Sequence, residues 1–213
     1  MTEITHHPTE ALLLAHAAGT LPEAFDLVVA THLTLCDRCR AEVAAYEEVG
    51  GRLLDAAAAV PVAPGGAARA LARAKAAPAP ADAPVAQSPL PRPLADWAMP
   101  GGAEIRWRPL GGGVRQAVLD TGPGPTARLL SIPGGREMPH HGHGGIELTM
   151  VLDGAYRDED GRFARGDVEI ADEDTHHRPV AEPGATCLCL AVTDARLKFR
   201  GLLPRIVQPF LGI

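Results

Sequence analysis

The chain has 213 residues, 46% of them hydrophobic, enough for one large domain or two small ones with genuine cores. A formal charge of −6 without Lys/Arg clusters excludes the concentrated positive charge that direct nucleic-acid binding needs, and points to a protein partner or a small ligand. No run approaches the roughly 20 apolar residues of a membrane span, and the opening MTEITHHPTE is too polar for a signal peptide. The expected location is therefore the cytoplasm, where four reduced cysteines serve as metal ligands, redox sensors or small buried hydrophobes.

Residues 8 to 76 are rich in Ala and Leu at helical spacing. PTEALLLAHAAG predicts a helix with Pro8 at its first position and Gly19 at its end; LPEAFDLVVATHLTLC repeats the device from Pro22 and runs to residue 36. A third helix is predicted from Asp37 past Tyr46 and Glu48, loosened at Gly50 and Gly51, with RLLDAAAA as its continuation. GGAARALARAKAA makes a short fourth helix in which Leu71 is the lone large apolar anchor. That is too little to hold it to its own domain, so it is expected to await a partner.

From Pro78 to Pro93 the stretch PAPADAPVAQSPLPRP forbids helix by repeated proline, and its small residues offer no core. Beyond Trp97 come short strands set off by glycine: AEIRWRPL, VRQAVLD, ARLLSIPGG, IELTMVLDGAY, DVEIA and TCLCLAVT. The expected architecture is two-domain α + β: a helical domain over 1–77, a Pro/Ala-rich linker over 78–93, and an all-β sandwich or small barrel over 94–213.

The stretch THLTLCDRC carries the first chemical signal. If residues 22 to 36 are helical, His32 and Cys36 share a face one turn apart and Cys39 follows at the turn into the next helix. Zinc takes four tetrahedral thiolate or imidazole ligands, so a fourth must come from His6, His7 or His16, of which His7, just ahead of Pro8, is best placed. Asp37 and Arg38 start the third helix and leave both thiols at its electropositive end, where thiolate is favoured. The alternatives are a reducible Cys36–Cys39 pair, around which no thioredoxin-like βαβ pattern is seen, or plain burial with His32 an ordinary helix residue. On these residues the chain resembles the zinc-binding anti-sigma factors, whose helical domain clasps an extracytoplasmic-function-type sigma factor and blocks its access to core RNA polymerase. Their fourth helix reaches around the sigma factor, which would account for the under-anchored GGAARALARAKAA.

The second signal is GREMPHHGHGGIELTMVLDG. His141 and His143 point to one face of a strand, and Glu147 keeps their parity unless Gly144-Gly145 introduces a bulge; GDVEIADEDTHHRP later supplies His176 and His177. Lone strand histidines are usually solvated or satisfied in a core, but this set forms a metal site lacking one ligand. Gly135, His141, His143, Glu147 and Gly154 resemble the cupin signature, which implies a jelly-roll barrel. Aligning Gly166-Asp167 with the second cupin motif implies His177 as the remaining ligand; Asp172 and Asp174 depart from the usual Pro and Gly of that turn. His140 and His176 should face outward by alternation. Such a set accepts zinc, manganese, iron or nickel; zinc is expected here, as in the helical domain, with iron or manganese second. Cys187 and Cys189 share a strand face, as small buried hydrophobes or as an oxidant-sensitive pair, although residues two apart on a strand form a disulfide only with difficulty.

Together the two motifs and the strap resemble the zinc-binding anti-sigma factors with a C-terminal cupin-like domain, which govern the response to singlet oxygen in photosynthetic and related bacteria. The resemblance implies a sigma factor as partner, occlusion rather than catalysis, and neither nucleic acid nor membrane as a direct ligand. It also implies that the helical half suffices to inhibit and that the cupin half is needed for release. Side-chain chemistry adds the expectation that an oxidant modifies the cupin half at or near its metal, where ligating His, Cys187 or Cys189, and Met138 are oxidisable. The rival expectation is a metal-dependent cupin enzyme, a dioxygenase or isomerase with an accessory zinc domain; a metal-sensing regulator is a third.

Overall fold

The computed structural model describes residues 3–77, 90–195 and 198–199. Helix α1 spans Glu10–Ala17 and is capped by Thr9, whose hydroxyl accepts from the Leu12 amide. Pro8 thus precedes the cap instead of opening the helix, because a hydroxyl satisfies an orphan amide where proline cannot. Helix α2, Glu23–Leu33, starts after Pro22 and buries most of its side chains. It stops short of Cys36, so the expectation of helix to residue 36 fails. Cys36 instead caps helix α3, Asp37–Ala56, which runs unbroken through Gly50 and Gly51. Helix α4, Gly66–Ala76, buries no side chain.

A short helix α5, Leu94–Ala98, leads into the strands: β1 Arg108–Gly111, β2 Val114–Val118, β3 Thr126–Ile132, β4 His141–Gly142, β5 Glu147–Asp153 and β6 Ala155–Arg157. They continue with β7 Arg162–Ala164, β8 Val168–Ala171, β9 His176–His177, β10 Val180–Ala181, β11 Cys187–Thr193 and β12 Lys198–Phe199. An antiparallel sheet in the order β1-β2-β3-β11-β5-β8 carries the fold, with two smaller sheets, β10-β6-β7 and β12-β4-β9. At the β5–β6 turn, Gly154 has φ +73°, and a Cβ there would meet the Thr186 carbonyl oxygen at 2.7 Å, so only glycine fits.

The large sheet is covered on both faces. Its inner residues, Val114, Ile132, Val151, Cys187 and Cys189, pack with Tyr156, Phe163 and Ala181 of the β10-β6-β7 sheet. Its outer residues, Leu129, Leu148, Met150, Leu190 and Val192, form one core with Ala24, Phe25, Leu27 and Val28 of α2 and with Leu90, Leu94, Ala95 and Ala98. Double coverage explains why β5 is apolar without strict alternation. It also means that Leu90, inside the stretch expected to offer no core, is buried, and that α2 completes the core of the β half. A smaller cluster of Leu13, Val29, Cys36, Cys39 and Val43 ties α1, α2 and α3 together. Among the described residues no helix is long and apolar enough to cross a membrane.

Candidate functional site

His7, His32, Cys36 and Cys39 each direct one ligand atom into a common space, all four within 4.8 Å of one another. Their convergence follows from three local devices. His32 sits in the last turn of α2, and the chain then turns through the bond from the Cys36 amide to the His32 carbonyl, 3.0 Å. Cys36 caps α3, its sulfur accepting from the Cys39 amide at 3.5 Å, which brings both sulfurs to the positive end of the helix. The tail ahead of α1 delivers His7, whose Nδ1 lies 3.5 Å from Cys36 Sγ and 3.4 Å from Cys39 Sγ.

The competing histidines are engaged elsewhere. His6 packs on Phe163 with ring centroids 4.4 Å apart, and His16 Nδ1 pairs with Asp26 at 2.7 Å. His32 Nδ1 donates to the Gly166 carbonyl at 2.9 Å, which leaves Nε2 as a bare lone pair; that atom is buried without a hydrogen-bond partner. Burial lowers the pKa of His32 to about 4 and, with the neighbouring Cys36, raises that of Cys39 to about 12. A buried imidazole lone pair aimed at two sulfurs fits a cation of the zinc type, whose binding displaces the thiol protons.

In the β half, His141, His143 and His177 form a second group within 4.8 Å. Their Nε2 atoms converge: His177 lies 3.1 Å from His141 and 3.3 Å from His143. His141 Nδ1 donates to the Pro139 carbonyl at 2.8 Å, while His177 Nδ1 faces Glu169 Oε1 at 2.8 Å and Asp158 Oδ2 at 3.0 Å. With both Nδ1 atoms committed as donors, two Nε2 lone pairs face each other across 3.1 Å, an arrangement that requires a proton or a metal ion between them. Burial lowers the pKa of His143 to about 4; for His177 burial acts the same way, but the bonds to Glu169 and Asp158 outweigh it and raise its pKa to about 9.

Glu147 stands beside this trio. Its Oε2 is 3.6 Å from His143 Nδ1, and its Oε1 accepts from Thr149 at 2.9 Å. The strand expected to carry His141, His143 and Glu147 on one face ends at Gly142, and the chain bends through Gly144 and Gly145 before β5 begins at Glu147. His176 is exposed and His140 half-buried, and Asp172 supplies the irregular turn by accepting from the Asp174 and Thr175 amides at 3.1 and 3.2 Å.

Three groups that matter here have no counterpart among the expected residues. Burial raises the pKa of Glu169 to about 7, Tyr156 donates its hydroxyl to Glu169, and Asp158 has a fully buried carboxylate. Together they clamp His177, and Asp158, Glu169 and His177 also form a third grouping of metal-ligand type. A signal existed in a glutamate set between Val168 and Ile170 on a strand, but nothing along the chain told which face it served.

A cavity of about 390 Å³ opens onto the cluster. His141, Glu147, Glu169 and His177 are among its polar lining, with Arg128 and Thr149, and Val114, Leu130, Ile132, Met138 and Cys189 among its apolar lining. Cys187 and Cys189 are buried free thiols with sulfurs 3.6 Å apart.

Comparison with known proteins accords with this geometry. Residues 101–196 match the family model described as the ChrR cupin-like domain. Over 211 residues, 99% of each chain, the sequence is 54% identical to the anti-sigma-E factor ChrR of Cereibacter sphaeroides. A chain in the crystal structure of Rhodobacter sphaeroides SigE in complex with the anti-sigma ChrR superposes with a TM-score of 0.78 at 53% identity, covering 90% of this chain and 100% of that one.

Proposed function

The chain belongs to the ChrR anti-sigma factors, and from that premise we propose that it binds and inhibits an extracytoplasmic-function-type sigma factor, releasing it when its cupin-like half responds to singlet oxygen or a related oxidant. One structural observation supports the binding surface. The outer half of α3 and the whole of α4 expose Val49, Leu53, Leu54 and Leu71, with Leu54 76% exposed, while α4 buries nothing. An unpartnered amphipathic pair of helices of this kind is what a protein partner covers.

The division of labour follows the proposed domains, 1–77 helical, 78–93 linker and 94–213 cupin-like. In the first, His7, His32, Cys36 and Cys39 would hold Zn2+, whose contribution is to tie the tail to the α2–α3 junction. With four protein ligands it presents no position for substrate, so the function is occlusion, not catalysis. In the cupin-like domain, His141, His143 and His177, with Glu147 beside them, would hold Zn2+ ahead of iron or manganese. The release signal enters there: Met138, Cys189, His141 and His177 line one cavity, so an oxidant entering it meets several oxidisable side chains at once. A cupin enzyme with an accessory zinc module is set aside because the whole chain, both halves included, aligns with a regulator.

The test is co-expression of the full chain with extracytoplasmic-function-type sigma factors, followed by co-purification and metal analysis. The expected result is retention of one sigma factor with about two metals per chain, and a loss of at least about a hundredfold in affinity for Leu53→Asp/Leu54→Asp. Failure of the metal-loaded protein to retain any sigma factor would sink the proposal.

A further inference from the structure

The turn at Gly166 and Asp167 touches both clusters. Asp167 belongs to the barrel that the three sheets form around the His141, His143 and His177 cluster, here the barrel cluster; its side chain is 3% exposed, and most of its hydrogen bonding serves the N-terminal tail. Its Oδ1 accepts from the amides of Thr5 at 2.7 Å and His6 at 2.9 Å, and from the Thr5 hydroxyl at 3.4 Å. Its Oδ2 accepts from the Ala164 amide at 2.8 Å, which fixes the turn itself. The next amide, Val168, donates to the His6 carbonyl at 3.1 Å. The tail is thereby held immediately before His7. Gly166 holds the second imidazole: its carbonyl accepts from His32 Nδ1 and so orients the Nε2 lone pair toward the cluster. Gly166 has φ +97°, and a Cβ there would strike the side chain of Ile4. Two of the four residues of the helical cluster are therefore positioned by atoms of the barrel.

The same turn opens β8, an edge strand of the large sheet that pairs there only with β5. Two residues beyond Asp167 lies Glu169, the partner of His177 at 2.8 Å. An edge strand lacks a second strand neighbour, so beside the buried Val168 and Ala171 a charge-assisted bond from Glu169 to the barrel cluster helps to anchor it. The path is continuous: His141 and His143 contact His177, which bonds Glu169; the backbone of β8 leads from Glu169 through Val168 to Asp167 and Gly166, and these bond the tail and His32.

We propose that the Gly166–Asp167 turn is a joint between the two clusters, with Asp167 as the positioning residue, so that emptying the barrel cluster loosens the tail and the helical cluster with it. The inference rests on the reading that each cluster holds a metal. It supplies a route for the release signal that does not require the linker.

The experiment uses the full zinc-loaded chain and reads amide hydrogen exchange at Thr5 and His6 together with metal content. His143→Ala empties the barrel cluster without touching Glu169; Asp167→Asn replaces one carboxylate oxygen with an NH2 group, which cannot accept; Thr5→Pro removes both donors of residue 5, amide and hydroxyl, while leaving the core untouched. Exchange at Leu129 and Leu190, in the sheet core, reports that each variant is folded. The expected result for His143→Ala is one metal in place of two and exchange at Thr5 and His6 faster by about tenfold or more. Asp167→Asn should speed exchange at Thr5 and His6 to the same extent, and Thr5→Pro exchange at His6, each with the barrel metal retained; Asp167→Asn should also weaken the helical metal about tenfold. Combining His143→Ala with Asp167→Asn should add nothing further, a non-additivity that two unrelated structural defects would not show. Unchanged tail exchange in a His143→Ala protein that has lost its barrel metal would overturn the joint, as would multiplying effects in the double variant. A wild-type chain that purifies with fewer than two metals under zinc saturation would overturn the underlying metal reading, and it is seen before any exchange is measured.

Discussion

Glu169 shows how much of a candidate metal centre resides outside the residues that would ligate the ion. It is 5% exposed, is bonded by Tyr156 and His177, and shares the latter with Asp158. A partner of this kind fixes the imidazole tautomer and raises its basicity, so Glu169→Gln should lower metal affinity at the barrel cluster about 10- to 100-fold while leaving the helical cluster loaded. Competition with a chelator measures it, and an unchanged affinity would strip Glu169 of this role. In the core, Leu148 has 0% exposure and packs on the face that α2 covers. Leu148→Ala should cost about 2–5 kcal/mol, read from the shift of a urea midpoint. His32, Cys36 and Cys39 were legible along the chain because donor chemistry and short spacing suffice to suggest them, whereas His7 was the best placed of three candidates until the fold engaged His6 and His16 elsewhere. Glu169 was not legible, since a carboxylate on a strand is named by what faces it across the fold.

Among the elements, α3 is firmer than expected. Gly50 and Gly51 were expected to loosen it, yet the helix continues through both, and a Cβ at either would meet nothing within 4 Å. Helical φ/ψ and open surroundings leave only the entropic cost of glycine, so Gly50→Ala and Gly51→Ala should each stabilise the protein by about 0.5–1 kcal/mol, seen as a higher unfolding temperature. At the other end of the domain, Thr9→Ala should cost about 1 kcal/mol by orphaning the Leu12 amide. Strand alternation placed His141, His143 and Glu147 on one face; the break at Gly144 and Gly145 brings His143 to the cluster by a bend and leaves Glu147 at its side. Periodicity describes an element only while the element lasts, and β4 ends before the second histidine does its work.

The molecule as a whole joins the two expected domains through α2, which buries Ala24, Phe25, Leu27 and Val28 in the same core as β3, β5 and β11. Trp97 and Trp107 pack against that shared core. Unfolding followed by tryptophan fluorescence and by helical circular dichroism should therefore coincide in one transition. Two separated midpoints would show that the halves fold as independent units. The four longer helices, the six strands of the large sheet and the donor sets His32–Cys36–Cys39 and His141–His143 lay open in the sequence, because they depend on spacing and side-chain chemistry a few residues apart; His177 entered through the cupin resemblance. The covering of the sheet by α2, the clamp of Glu169 and Asp158 on His177, and the grip of Gly166 and Asp167 on the tail were decided by the tertiary structure. Each joins residues far apart in the chain, and burial and hydrogen bonding between such residues exist only once the fold has closed.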